Sequence, residues 1–191
     1  MFPGSFNPPT IAHLAIAAAA REQRALHRVV LMLSRSPINK EHVDRPLFEH
    51  RVDVLRTEVA RYHWLDVEVT EARLLVDIAY GFDVLVMGAD KWAQVNDPAY
   101  YGDDPAARDA AVAALPTLAI APRPPFTVPA EHSLIVDAAH VIVSSSDARA
   151  GTIEWMTPAA RAFDRRTGAW SDPDRYEQWL REGGTEHGFR E

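Results

Sequence analysis

The sequence contains no cysteine, which removes disulfides and thiolate-bound zinc from consideration. It has no run of about 18 apolar residues that would cross a bilayer, and no basic-then-apolar start that would mark export. Positive charge is scarce, with 20 Lys and Arg against 27 Asp and Glu, for a net charge of −7. Proteins that grip a nucleic-acid backbone carry a basic face, so nucleic acid is not expected as the main partner. A small anion needs only a local cluster. These absences point to a cytoplasmic chain with neither a membrane nor a nucleic-acid partner, and they leave a homo-oligomer open.

What is present is a chain of 191 residues, 47% of them hydrophobic, of the size that buries about 70% of its unfolded surface as one domain. Short apolar or β-branched runs occur at 29–33 (VVLML), 65–69 (LDVEV), 83–87 (DVLVM), 117–121 (TLAIA) and 140–143 (HVIV), with helical patterns at 11–25, 46–62 and 105–114. Strands alternating with helices predict an α/β fold: a Rossmann-like, doubly wound parallel sheet in three α/β/α layers. The ligand site of such a sheet lies beyond the carboxyl ends of its strands. The domain is expected over 1–170, with a polar helical tail at 171–191 containing DRYEQWL.

The chain opens MFPGSFNPPTIAHL. A glycine turn and a Pro-Pro pair run into an alanine-rich helix, with Thr10 as a plausible cap. A glycine lets backbone approach a ligand closely, and a helix start offers unpaired N–H groups, so the stretch reads as a phosphate cradle. Only Met1 and Phe2 precede the glycine loop, whereas a strand of ordinary length uses ~5 residues. The translation start is therefore expected upstream of Met1.

GSFNPPTIAH resembles the opening signature of the nucleotidyltransferase superfamily, and SSSDAR resembles its partner signature near the carboxyl end. Between them stand Lys40, the PLFEHRVDVL helix and GADKW, which is similar to the family's Gly-x-Asp. GADKW, APRPP and the closing WMTPAARAFDRRTGAW bring the chain nearest the nicotinate or nicotinamide mononucleotide adenylyltransferases. Thr10 stands where those bacterial enzymes usually carry His, as in pantetheine-phosphate adenylyltransferases, and Ala12 replaces the usual Gly.

The resemblance implies transfer of AMP from ATP to a phosphomonoester with loss of pyrophosphate, chemistry that asks mainly for alignment and charge neutralisation. Thr10 and His13 would donate to triphosphate oxygens. Lys40 would contact phosphates of both reactants. Gly4, Ser5 and Phe6 would form the first cradle, and Ser144, Ser145 and Ser146 a second, with Arg149 as an anion clamp on the β- and γ-phosphates. Gly88 and Asp90 would hold the nucleoside, and Trp92 and Arg123 would face the acceptor with Lys40. Mg2+ would arrive on the nucleotide, with no metal held by the protein itself.

Each residue also has a plainer reading: His13 as a half-buried helix histidine, Lys40 as a solvated lysine, the serines as a capping cluster, Asp90 as a cap for KWAQV, Trp92 as core. Three functions stay open. They are a pyridine-mononucleotide adenylyltransferase of NAD biosynthesis, an enzyme using phosphopantetheine or CTP instead, and a nucleotide-binding module with weakened catalysis.

Overall fold

The computed structural model describes residues 1–35 and 45–184. Its strands are β1 (Phe2–Pro3), β2 (Val29–Ser34), β3 (Leu65–Thr70), β4 (Val84–Gly88) and β5 (Thr117–Ala121). All pair in parallel: Phe2 lies opposite Leu31, Leu31 opposite Val67, and Val86 opposite Ala119. Met1 joins the two halves. Its amino group donates to the Val84 carbonyl at 2.6 Å, and its carbonyl accepts from the Val86 N–H at 2.8 Å. The order across the sheet is thus β3-β2-β1-β4-β5, with the winding direction changing between β1 and β4. That change opens the crevice where doubly wound folds bind ligands.

Sequence pattern explains each strand's place. VVLML of β2 is buried on both faces, as a central parallel strand requires. LDVEV of β3 alternates, and its outward Asp66 and Glu68 pair with Arg28 at 2.7 and 2.9 Å along the sheet edge. Alternate residues of β2 and β4 feed opposite faces. Leu31, Leu33 and Val86 pack with Ala17 and Ala20 of α1 (Ile11–Gln23) and Leu55 of α2 (Phe48–Val59). Val30, Met32, Leu85 and Met87 pack with Ala79 of α3 (Leu75–Ala79) and Ala89 of α4 (Ala89–Asn96). The result is the expected three-layer α/β/α arrangement.

One expected strand is a helix. HVIV at 140–143 falls in and just after α6 (Ala138–Val141), which follows α5 (Pro105–Ala113). Asp137 accepts from the Ala139 N–H at 2.8 Å and starts the turn. Four apolar residues do not by themselves separate strand from helix. The outer edge of β5 is meanwhile taken by 132–134, where the Ile120 N–H donates to the His132 carbonyl and the Leu134 N–H to that of Ile120.

The chain then forms α7 (Ser145–Arg149), α8 (Pro158–Thr167) and α9 (Pro173–Arg181). A third cluster, containing Met156, Phe163, Trp170 and Tyr176, covers Val54 on α2. The polar face of α9 looks outward, but Tyr176 is fully buried. Its hydroxyl accepts from the Leu47 N–H at 3.0 Å and lies 2.6 Å from Nδ1 of His50. Tyr176→Phe should therefore remove the buried contact with His50 and the part-buried one with the Leu47 N–H, and cost about 1–3 kcal/mol. A thermal melt should record a fall in Tm of about 2–10 °C; an unchanged Tm would detach α9 from the folded unit.

Candidate active site

The opening loop leaves β1 at Gly4, whose N–H donates to the Met32 carbonyl at 3.1 Å. That amide is thus committed to the sheet. The glycine also makes room within the loop: a Cβ here would stand 2.9 Å from Cζ of Phe6. Phe6 itself takes φ +44°, in the left-handed region, with its ring 1% exposed. Such a backbone costs about 1–3 kcal/mol for a bulky residue, a strain held by the packing around it. The Phe6 ring meets Phe2 edge-on with centroids 5.8 Å apart, and His13 at 5.0 Å.

His13 occupies the first turn of α1, where it completes a cap rather than pointing away. The Thr10 N–H donates to its Nδ1 at 2.9 Å, and the Thr10 hydroxyl lies 2.8 Å from the same nitrogen. A backbone N–H can only donate, so Nδ1 is an acceptor and the ring proton belongs on Nε2. The cap thereby fixes the His13 ring, with its proton on Nε2, beside the amides that open the helix. Ala12 next to it is 5% exposed, so its methyl is buried rather than standing in an open crevice.

The predicted second cradle packs directly on the first. Ser144 is the N-cap of α7, accepting from the Asp147 N–H at 3.0 Å and donating to the Asp147 carboxylate at 2.6 Å. Ser145 Oγ donates to the Pro8 carbonyl at 2.8 Å. Arg149 donates to the Asn7 carbonyl and, at 3.3 Å, to Ser146 Oγ. Thr10, His13, Ser145, Ser146 and Arg149 are thus drawn to one loop from opposite ends of the chain. Three residues that the sequence reading passed over hold the same loop. Trp170 Nε1 donates to Asn7 Oδ1 at 2.6 Å, the Thr157 N–H to the Pro9 carbonyl at 3.0 Å, and Arg51 Nη1 to the Ser5 carbonyl at 3.0 Å. The Asn inside the opening signature was the available signal.

The nucleoside and acceptor candidates sit at the end of β4. Gly88 is the N-cap of α4, so the helix begins one residue before Asp90, and a Cβ on Gly88 would fall 2.5 Å from Asp90 Oδ1. The glycine makes room for that carboxylate. Arg123 Nε stands 3.9 Å from Asp90 Oδ2, a half-exposed pair that a ligand can enter at little cost. Trp92 is half-buried, its ring 6.3 Å from that of His132. Lys40 lies outside the described residues. Among the described residues, no three His, Cys, Asp or Glu side chains gather as a metal site, and no helix is long and apolar enough to cross a membrane.

Comparisons with known proteins agree with this architecture. Residues 1–151 match the model of a family described as cytidylyltransferase-like. A search of curated proteins finds no significant match. Among solved structures, the chain is similar to Plasmodium falciparum nicotinic acid mononucleotide adenylyltransferase complexed with NaAD, with a TM-score of 0.58 and 13% identity over 86% of this chain and 93% of that one. It is similar also to the same parasite's enzyme complexed with APC, with a TM-score of 0.60 and 13% identity over 86% and 92% of the two chains. At that identity the likeness is one of fold.

Trp170→Phe tests the packing of the loop. It keeps the aromatic bulk but strands the buried Asn7 side chain, for an expected loss of about 1–3 kcal/mol in a denaturant melt. Gly4→Val should displace the Phe6 ring and reduce ATP binding sharply by calorimetry. Wild-type affinity in a folded Gly4→Val protein would separate the loop from the nucleotide site.

Proposed function

The chain belongs to the cytidylyltransferase-like family of nucleotidyltransferases, and on that premise we propose that it transfers AMP from ATP to nicotinate or nicotinamide mononucleotide, releasing pyrophosphate. The observation that carries the reading is His13. Its cap leaves Nε2–H as a rigid donor at a helix start, against a loop that Arg149 also reaches. The structural neighbours complexed with NaAD and APC support the choice of acceptor and nucleotide. The reaction is then one of NAD biosynthesis, in a cytoplasmic enzyme whose transferase unit is 1–170, braced by α9.

In this reading an acceptor phosphate oxygen forms a bond to the α-phosphorus as the bond to the β-phosphate oxygen breaks. Negative charge grows on the departing pyrophosphate. His13, the amides of α1 and Arg149 meet that charge, joined by Ser144–Ser146, whose first two hydroxyls turn from the Asp147 carboxylate and the Pro8 carbonyl to do so. Lys40 binds phosphates of both reactants. Gly88 and Asp90 hold the nucleoside, while Trp92 and Arg123 face the acceptor. Mg2+ comes with the triphosphate, its ordinary partner, where it neutralises phosphate charge.

Pyrophosphate release, measured with ATP or CTP against nicotinate mononucleotide, nicotinamide mononucleotide and phosphopantetheine, decides the assignment. Release is expected with ATP and a pyridine mononucleotide. Release only with CTP or phosphopantetheine would move the substrate, and ATP binding without release for any acceptor would make the chain a binding module. His13→Ala should lower kcat by about 10²-fold or more with a smaller change in ATP affinity, as expected for a donor whose bond strengthens in the transition state. Arg149→Lys should impair ATP use because an ammonium cannot reproduce the planar fork, and should leave acceptor binding nearly unchanged.

A further inference from the structure

Arg51 lies one turn into α2 and is 8% exposed. Its Nη1 donates to the Ser5 carbonyl at 3.0 Å, and its guanidinium carbon sits 5.3 Å from the centre of the Phe48 ring. Its Nε is buried and has no hydrogen-bond partner among the described residues. Nor does any described carboxylate form an ion pair with it. Glu49, the acid on the adjoining turn, is held by Arg35 at 2.8 Å.

A guanidinium cannot shed its proton at physiological pH, so this charge stays. It is placed near the positive end of α2, where a cation is disfavoured. Buried charges are ordinarily paired, and a lone carbonyl supplies only a dipole. Glu49 lends its charge from a distance, so what is lacking is an anion in contact, and the bond to Ser5 places the guanidinium against the opening loop.

We propose that Arg51 is an anion-binding member of the cradle, whose counter-charge is supplied by the polyphosphate of the bound nucleotide. The assignment rests on the transferase reading and extends it to a residue on a third helix. Arg51 then does two things through one group. It fixes the Ser5 carbonyl through Nη1, and it contributes positive charge to the space that the loop encloses.

Calorimetry with magnesium and inorganic pyrophosphate, and separately with tripolyphosphate, tests this on the full chain without turnover. Arg51→Gln removes the charge and should weaken pyrophosphate binding by about tenfold or more. Arg51→Lys keeps the charge without the fork and should fall between Gln and wild type. A Kd unchanged in Arg51→Gln would overturn the assignment and mark the residue as a brace for Ser5 alone.

If Arg51→Gln does not fold, the wild type still decides. The Arg51 15Nε–Hε resonance, assigned by its loss in Arg51→Lys, should shift on addition of pyrophosphate. An unmoved resonance at saturation would overturn the proposal. Wild-type protein that binds neither polyphosphate would overturn the transferase reading along with it, whereas wild-type binding with an unaltered Arg51→Gln affinity overturns the role of Arg51 alone.

Discussion

Backbone carbonyls in the Ser5–Pro9 stretch face a constraint that the rest of the molecule is arranged to meet. Two prolines and a left-handed phenylalanine remove the regular ladders by which a buried chain satisfies itself. The carbonyls of Ser5, Asn7, Pro8 and Pro9 are accordingly taken by Arg51, Arg149, Ser145 and the Thr157 amide, from α2, α7 and the start of α8. Trp170 takes the Asn7 side chain. Once those oxygens are engaged by the surrounding protein, the loop is fixed between α2, α7 and α8. Arg149 and Ser145 therefore have a structural role beside the one proposed for them, and separating the two requires substitutions that keep the hydrogen bond while altering charge.

Much of the architecture was legible in the sequence because burial leaves a period. The two-sided apolar run of β2, the alternation of β3 and the alanine-rich face of α1 each announce where they sit. HVIV misled because a four-residue run carries no period, and the deciding feature was Asp137, a helix cap just ahead of it. The segment that does cover β5, HSL at 132–134, has no strand signature at all. It binds through one isolated bridge, Ile120 to Ser133, which depends on the neighbour and not on composition.

Thr10, His13, Ser145 and Arg149, singled out in the sequence for their own side chains, do gather at the opening loop. Residues that act only by filling another residue's hydrogen bond were not singled out. Trp170 and Thr157 look like core, and Arg51 looks like one more helix arginine in a chain with many. Gly4 was found for an incomplete reason: its amide is spent on Met32, and the missing side chain leaves space for the Phe6 ring.

The reach of those contacts along the chain sets an order in time. Ser145 is 137 residues from the carbonyl it satisfies, Arg149 is 142 from its own, and Trp170 is 163 from Asn7. Contacts of such separation form late, because loop closure must be met before they give anything back. During synthesis the loop at 5–9 leaves the ribosome long before the last of its partners exist. The loop at 5–9 is thus among the last parts of the fold to be fixed, and its hydrogen bonding is complete only once Trp170 has joined the chain.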